Sequence, residues 1–255
     1  MYPYELFFGI TLYEVLIVVG YIAAIALFRR YSVKTGMSAK LYNLALVSVT
    51  AGAVGGYLSG YLFQALYDWL GGGGFHLNRS TGSTYLGGLI GALAIIAVVY
   101  FVGGALVFRD SREHLEHFAD VMDGYAAGIA LGHGFGRIGC LMAGCCYGLP
   151  SEHGIYFPEL GFRAIPTQLF EAVFLFLLAA FLWRLVTRTS GYGAPVYFIA
   201  YGVWRFFLEF WRGDDRGKTV VDFLTPSQLV SVLLVAVGLV LLFVKRRKER
   251  RHDET

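Results

Sequence analysis

The chain has 255 residues, of which 56% are apolar and only 15% charged, and its formal net charge is +3. Soluble globular domains carry about 25% charged residues, so this composition excludes that class and indicates a membrane protein.

Seven apolar stretches are long enough to cross a hydrocarbon core of about 30 Å, which needs about 20 helical residues. They lie at residues 9–28, 41–70, 84–108, 121–142, 166–187, 193–212 and 226–244. Because helices satisfy their own backbone hydrogen bonds in lipid, the sequence predicts an all-α polytopic membrane protein with about seven transmembrane helices. We expect a single domain over residues 1–255, ending in a basic cytoplasmic tail at 245–255.

The distribution of lysine and arginine predicts the orientation of these helices. If the N-terminus lies outside, fourteen basic residues fall in cytoplasmic segments and five in outer segments. Short cytoplasmic segments retain positive charge, so we expect the N-terminus outside and the C-terminus in the cytoplasm. The basic tail follows the last span directly, which predicts contact with anionic headgroups and no nucleic-acid partner.

The fourth span contains the segment GHGFGRIG at residues 132–139, in which four of eight residues are glycine. Glycine is a poor helix former, so we expect a broken or kinked helix there. His133 and Arg137 are four residues apart and share a face wherever the helix holds.

Polar side chains gather in three segments that this topology places in the outer half of the bilayer: residues 133–148, 163–172 and 204–217. Ionisable groups at membrane depth are costly, so they are functional candidates by default. Arg137, Arg205 and Arg212 could together hold a phosphate through their guanidinium forks. An ion pair between Arg205 and Glu209 that only ties helices together is the alternative.

All three cysteines of the chain, Cys140, Cys145 and Cys146, lie within seven residues. The spacing C-x4-C-C is not a zinc pattern, so the sequence predicts no metal site and no cofactor. Three interpretations stay open: a thiol nucleophile beside Arg137, a redox pair joining Cys140 to one of the other two, and small buried apolar residues. His133 is a lower-ranked candidate for a base.

Several segments, in chain order, resemble signatures of the bacterial prolipoprotein diacylglyceryl transferases. They are LYEVLIVVGYIAA (12–24), YLGGLIGA (85–92), GRIGCLMAGCCYG (136–148), IPTQLFEA (165–172), RFFLEFWRGDDRG (205–217) and LTPSQLVS (224–231). The resemblance implies a multi-pass enzyme of the bacterial inner membrane. Its activity would move the diacylglyceryl group of phosphatidylglycerol, an anionic phospholipid, to a cysteine thiol of a lipoprotein precursor.

The resemblance also implies roles for individual residues. Tyr13, Arg137, Gly148 and Arg205 match family positions that we expect to bind the lipid headgroup, and Glu209 matches the glutamate of the sixth span. We add Gln168 and Arg212 to the headgroup site because they lie in the same polar segments. The three cysteines, His133 and Glu209 are the catalytic candidates.

The chain departs from the family pattern at several positions. Leu86 and Ile165 stand where histidines are usual, Cys140 and Cys145 stand where asparagine and glutamate are usual, and Val54 replaces an arginine. These departures leave alternatives to the family reaction open: transfer to another acceptor through the chain's own cysteines, membrane thiol redox chemistry, or lipid binding or transport without catalysis.

Overall fold

A computed structural model describes residues 4–72, 74–77, 84–158, 160–213 and 224–253. The helices are α1 (Leu12–Thr35), α2 (Ala39–Leu70), α3 (Tyr85–Val107), α4 (Glu113–Glu116), α5 (Phe118–Ala143), α6 (Thr167–Val186), α7 (Gly193–Leu208) and α8 (Pro226–Asp253). Four short strands, which the sequence did not predict, form two antiparallel hairpins: β1 (Glu5–Phe7) with β2 (Ile10–Thr11), and β3 (Pro150–Phe157) with β4 (Phe162–Ala164).

Five of the described helices, α1, α2, α3, α6 and α8, are long and apolar enough to cross a membrane. This confirms the prediction of a helical membrane protein, while the count of seven spans and the orientation of the termini stay predictions. Helix α7 has only 16 residues, and α5 carries buried polar groups among its apolar ones. Short length and buried polar groups both make a membrane span harder to recognise from helix length and hydropathy alone.

The chain divides into two compact units, residues 36–118 and residues 1–35 with 119–255. In the first unit, α2 and α3 approach closely through small residues. A Cβ at Gly56 would lie 2.7 Å from the Cβ of Ala92 and 2.9 Å from the carbonyl oxygen of Gly88. Close backbone approach gives the van der Waals contact that holds helices together in lipid, where the hydrophobic effect contributes little.

The second unit contains α5, and this helix is continuous over the glycine-rich segment, so the predicted break is wrong. The glycines serve helix packing instead. A Cβ at Gly132 would lie 3.2 Å from the carbonyl oxygen of Gly20 in α1, and one at Gly134 would lie 2.7 Å from the ring of Phe176 in α6. The neighbours on both sides support the helix, so tertiary packing overrides the low intrinsic propensity of glycine.

The predicted sixth span also needs a correction, because α7 ends at Leu208 and a 3-10 turn follows at Glu209–Trp211. Arg212 is extended and pairs with Gly148 in an isolated antiparallel bridge. Arg205 and Glu209 keep their predicted side-by-side arrangement. Arg212 belongs to the loop that follows and not to the helix face.

The start of α7 is fixed by Asp123, a fully buried residue of α5. Its carboxylate accepts hydrogen bonds from the backbone N–H groups of Gly191 (2.6 Å), Gly193 (2.7 Å) and Ala194 (3.2 Å). These donors belong to the first turn of α7 and the loop before it, which lack partners within the helix. Asp123 therefore sets where α7 begins, and with it the positions of the polar residues further along that helix.

Candidate functional site

Glu171 is the centre of a polar cluster formed by α5, α6 and α7. Its side chain is fully buried and pairs with Arg137 of α5, whose Nε lies 3.0 Å from Oε2. Tyr201 of α7 donates its hydroxyl to Oε1 of Glu171 at 2.9 Å. His133 completes the cluster, since its Nε2 lies 4.0 Å from Oε1 of Glu171 and accepts a hydrogen bond from Nε of Arg137 at 3.2 Å. The His133–Arg137 contact confirms that the two residues share a helix face.

The contacts of Arg137 leave part of its guanidinium available. Among the described residues, both its ion pair with Glu171 and its hydrogen bond to His133 run through Nε. The side chain is 15% exposed, so the terminal amino groups of the fork can reach a ligand. A carboxylate that holds one edge of an arginine fixes the direction of the remaining donors.

A second arginine and carboxylate form a matching pair at the end of α7. Nη2 of Arg205 lies 2.8 Å from Oε2 of Glu209, and both side chains are nearly buried. Thr225 donates its hydroxyl to Oε1 of Glu209 at 2.9 Å. Arg205 also donates through Nη2 to the hydroxyl of Ser227 at 3.0 Å, which ties the pair to α8.

Arg205 retains a buried donor for which the described part of the chain offers no partner, its Nη1. A buried N–H group without a partner costs about 1–3 kcal/mol, so native proteins rarely keep one without a reason. An anionic ligand that accepts from Nη1 would remove this cost. Arg137 and Arg205 thus have the same arrangement, in which a buried carboxylate holds one part of the guanidinium and other donors remain.

The three cysteines form a compact cluster where α5 ends. Their Sγ atoms all lie within 4.8 Å of one another, and the three thiols are free. Cys145 is exposed, whereas Cys140 and Cys146 are partly buried. Hydrogen bonds from the thiols of Cys140 and Cys145, and then the guanidinium of Arg212, lower the pKa of the Cys146 thiol.

The loop that follows α5 and contains Cys145 and Cys146 is hydrogen-bonded to side chains at the start of α6. The amide of Gln168, which is fully buried, donates to the carbonyl oxygen of Cys145 at 2.5 Å. The hydroxyl of Thr167 donates to the carbonyl oxygen of Cys146 at 2.9 Å. Gln168 therefore holds the loop in place through its amide group, and its predicted contact with a lipid headgroup stays a prediction.

Gly148 closes the loop at a point where a side chain does not fit. A Cβ there would lie 2.5 Å from the carbonyl oxygen of Trp211 and 2.8 Å from that of Ile165. Its N–H donates to Ile165 at 2.8 Å, and its bridge to Arg212 joins the loop to the segment after α7. Gly148 thus acts by allowing three backbone segments to meet.

Tyr13 lies at the start of α1 beside α5. Its ring would lie 3.0 Å from a Cβ built on Gly139, and its residue is 36% exposed. The phenol is close enough to interact electrostatically with the three cysteines and with Arg137. Tyr13 thus lies beside α5, within electrostatic range of the cysteine cluster and of Arg137.

The predicted site residues therefore fall into three groups within the unit that contains α5. His133 and Arg137 join Glu171, Arg205 joins Glu209, and the cysteines gather with the loop residues. Glu171 lies in the polar segment at residues 163–172, but the sequence predicted no role for it and did not predict Tyr201. The sequence signal for Glu171 was a carboxylate within an otherwise apolar helix, at the fifth residue of α6.

Comparisons with known proteins agree with the resemblance inferred from the motifs. The family model described as prolipoprotein diacylglyceryl transferase matches residues 4–244. A phosphatidylglycerol–prolipoprotein diacylglyceryl transferase of Clostridium tetani is 32% identical over 95% of this chain and 97% of the relative. A second such enzyme of Clostridium perfringens is 31% identical over 96% and 95%, and one of Chlorobaculum tepidum is 31% identical over 80% and 75%.

Proposed function

Because the chain belongs to the prolipoprotein diacylglyceryl transferase family, we propose that it transfers the diacylglyceryl group of phosphatidylglycerol to a cysteine thiol of a lipoprotein precursor. The thiolate sulfur attacks the glyceryl carbon that carries the phosphate. A C–S bond forms, the C–O bond to phosphate breaks, and the electron pair leaves on the oxygen of glycerol phosphate. The site must therefore hold a phosphodiester and stabilise the charge that develops on its leaving oxygen.

Arg137 and Arg205 bind the phosphate. The observation that carries this assignment is their shared arrangement: each is oriented by a buried carboxylate, and each keeps donors that those carboxylates do not use. Preoriented donors need no reorganisation when charge develops on the leaving phosphate, which is the main source of electrostatic catalysis. Glu171 and Glu209 orient the arginines. Their negative charges also offset the repulsion between the two positive guanidinium groups, which is strong at low dielectric.

The contacts of His133 argue against its predicted role as the catalytic base. Its Nε2 lone pair already accepts a hydrogen bond from Arg137. A base must present a free lone pair to the thiol proton within hydrogen-bond reach. We assign His133 the role of a second support for Arg137.

The cysteines take part without forming a covalent lipid intermediate. A thioether between an enzyme cysteine and the glyceryl carbon would be a dead end, because a thiolate bound to an alkyl carbon is a very poor leaving group compared with a phosphate. The acceptor thiol therefore attacks phosphatidylglycerol directly. Cys140, Cys145 and Cys146 act on the acceptor, and Cys145 is the exposed member that an incoming peptide can reach.

The enzyme works as a multi-pass protein of the bacterial inner membrane, with the N-terminus outside and the C-terminus in the cytoplasm. Helices α5 and α7 cross the membrane as the fourth and sixth of seven spans. The 26 residues of α5 are enough for this, since a helix of that length extends for about 39 Å. Helix α7 is shorter, but the 3-10 turn at Glu209–Trp211 extends it. Lys245 and the basic residues after it then lie on the cytoplasmic side.

A transfer assay tests the phosphate site. We expect Arg137→Ala to reduce transfer from labelled phosphatidylglycerol to a lipobox peptide in proteoliposomes roughly 100- to 1,000-fold, the cost of losing one preoriented donor. Arg184→Ala is the matched control, because Arg184 is exposed in the last turn of α6 and far along the helix from Glu171. Full transfer by a folded Arg137→Ala variant would contradict the assignment.

Thiol redox chemistry is the second candidate function, and the close approach of the three Sγ atoms favours it. Formation of a disulfide between Cys140 and Cys145 or Cys146 would need a thiol–disulfide partner to accept the electrons. Exchange with a small disulfide followed by mass spectrometry of the protein detects such a bond. A reversible disulfide in a protein that transfers no lipid would favour redox chemistry over transfer.

A further inference from the structure

The sequence spacing of the cysteines argues against a metal site, but the fold changes that argument. Gly144 and Cys146 both have left-handed backbone conformations, with φ of 73° and 63°. These two residues turn the chain back after α5, so that Cys145 and Cys146 return to Cys140. A left-handed conformation is unfavourable for a residue with a Cβ and persists where the surrounding structure enforces it, often at functional sites. Here Gln168 and Thr167 hold the carbonyl groups of the same turn.

The dimensions of the cluster suit a zinc ion. A tetrahedral zinc with Zn–S distances of about 2.3 Å places its sulfur ligands roughly 3.8 Å apart. The Sγ atoms lie within 4.8 Å of one another, so each sulfur needs to move by well under about 1 Å. Rotation of a cysteine about χ1 covers such a distance without any change in the backbone. Thiolates are soft ligands that favour Zn²⁺ among the common divalent ions.

Three protein ligands are one fewer than a structural zinc site has. Structural zinc ions are held by four side chains, whereas catalytic zinc ions have three protein ligands and an open fourth position. Among the described residues, the cluster of potential metal ligands consists of the three cysteines alone. The exposure of Cys145 leaves the cluster accessible from outside. The arrangement is therefore that of a site in which the ion accepts a ligand from a substrate.

We propose that Cys140, Cys145 and Cys146 bind one zinc ion whose open position holds the acceptor cysteine of the lipoprotein precursor as a thiolate. This inference rests on the transfer reaction proposed above and names the group that prepares its nucleophile. A thiol bound to zinc is deprotonated, so the site supplies a thiolate near neutral pH without a carboxylate or imidazole base.

The chemical step is balanced without any oxidant or reductant. The precursor thiol binds zinc and releases its proton to water. The zinc-bound sulfur attacks the glyceryl carbon, forming the C–S bond while the C–O bond to phosphate breaks, and glycerol phosphate leaves with the electron pair. The product is a neutral thioether, which binds zinc far more weakly than a thiolate does. Product release therefore follows from the change in charge on sulfur.

Zinc content measures the site independently of activity. The full-length protein, purified in detergent without chelators, should contain one zinc per chain. Cys140→Ser and Cys146→Ser should weaken zinc binding at least about 100-fold, because even residues outside the ligand set can contribute 10–100-fold. His153→Ala removes an exposed histidine of strand β3 and should leave the zinc content unchanged. Thermal unfolding in detergent shows whether the serine variants remain folded.

Cobalt substitution tests the open position. A lipobox peptide added to the Co²⁺-loaded protein should shift the thiolate-to-metal charge-transfer bands, and the same peptide with serine in place of its cysteine should not. Identical spectra with both peptides would overturn the acceptor role.

The transfer assay separates a failure of this inference from a failure of the proposed function. We expect removal of zinc to reduce transfer at least about tenfold and re-addition of zinc to restore it. Full transfer by the metal-free protein would overturn the zinc site and leave the proposed function intact. No transfer by the zinc-loaded protein, which still binds phosphatidylglycerol, would overturn the proposed function and with it the acceptor role.

Discussion

The most informative single substitution is Glu171→Gln, because it removes a charge and preserves shape. Glutamine replaces the two carboxylate oxygens with one oxygen and one NH2 group. Its oxygen can face Nε of Arg137, which lies 3.0 Å from Oε2 of Glu171, while its N–H donates to the hydroxyl oxygen of Tyr201, which lies 2.9 Å from Oε1. What disappears is the fully buried negative charge that orients the largely buried Arg137. Effects of the variant can therefore be assigned to charge and orientation and not to a cavity.

The size of the effect follows from the burial of the pair. Removal of one partner from a buried ion pair costs about 3–5 kcal/mol, since the other charge remains without compensation. The retained hydrogen bonds reduce this cost to about 2 kcal/mol, which corresponds to roughly a 30-fold loss in kcat/KM when it falls on the phosphate contact. Tyr201→Phe removes one hydrogen bond to Glu171 and should cost about 1 kcal/mol, or roughly fivefold.

The assay is lipid transfer in proteoliposomes with the concentration of phosphatidylglycerol varied, together with thermal unfolding in detergent. Our account predicts that Glu171→Gln acts through Arg137, so the substitution should cost little more in the Arg137→Ala background. A Glu171→Gln variant that unfolds more easily but transfers lipid at the normal rate would refute the reasoning. In that case the ion pair would only join α5 to α6.

Three further substitutions test how the fold holds the site. Gly148→Ala places a methyl group 2.5 Å from the carbonyl oxygen of Trp211, and we expect a loss of about 1–3 kcal/mol of stability and of most transfer activity. Gly136→Ala meets only Ile17 at 3.4 Å and should stabilise α5 by up to about 1 kcal/mol; a loss of stability there would contradict the packing of this helix. Asp123→Ala leaves three backbone donors without their acceptor and should lower stability by about 2–4 kcal/mol, as measured by thermal unfolding in detergent. Normal unfolding of that variant would show that the start of α7 does not depend on Asp123.

The sequence determines the membrane class and the family. Long apolar stretches can satisfy their backbones in lipid only as helices, so composition alone predicts the fold class. Contacts between residues four apart were also predictable: His133 with Arg137, and Arg205 with Glu209, because one helical turn brings such pairs together. The family was predictable because its motifs recur in order along the chain, and the match over residues 4–244 confirms it.

The tertiary structure decided the features that depend on neighbours distant in sequence. The glycines of α5 predict a break when only propensity counts, but α1 and α6 pack against them and the helix is continuous. Glu171 acquires its place through Arg137 and Tyr201, which lie on two other helices. The spacing of the cysteines along the chain does not match a known metal-binding motif. The three thiols come together through a left-handed turn after α5, which a hydrogen bond from α6 holds in place. Local pattern fixes which residues form helices and which face one another one turn apart, whereas partners from other helices decide what those residues can bind.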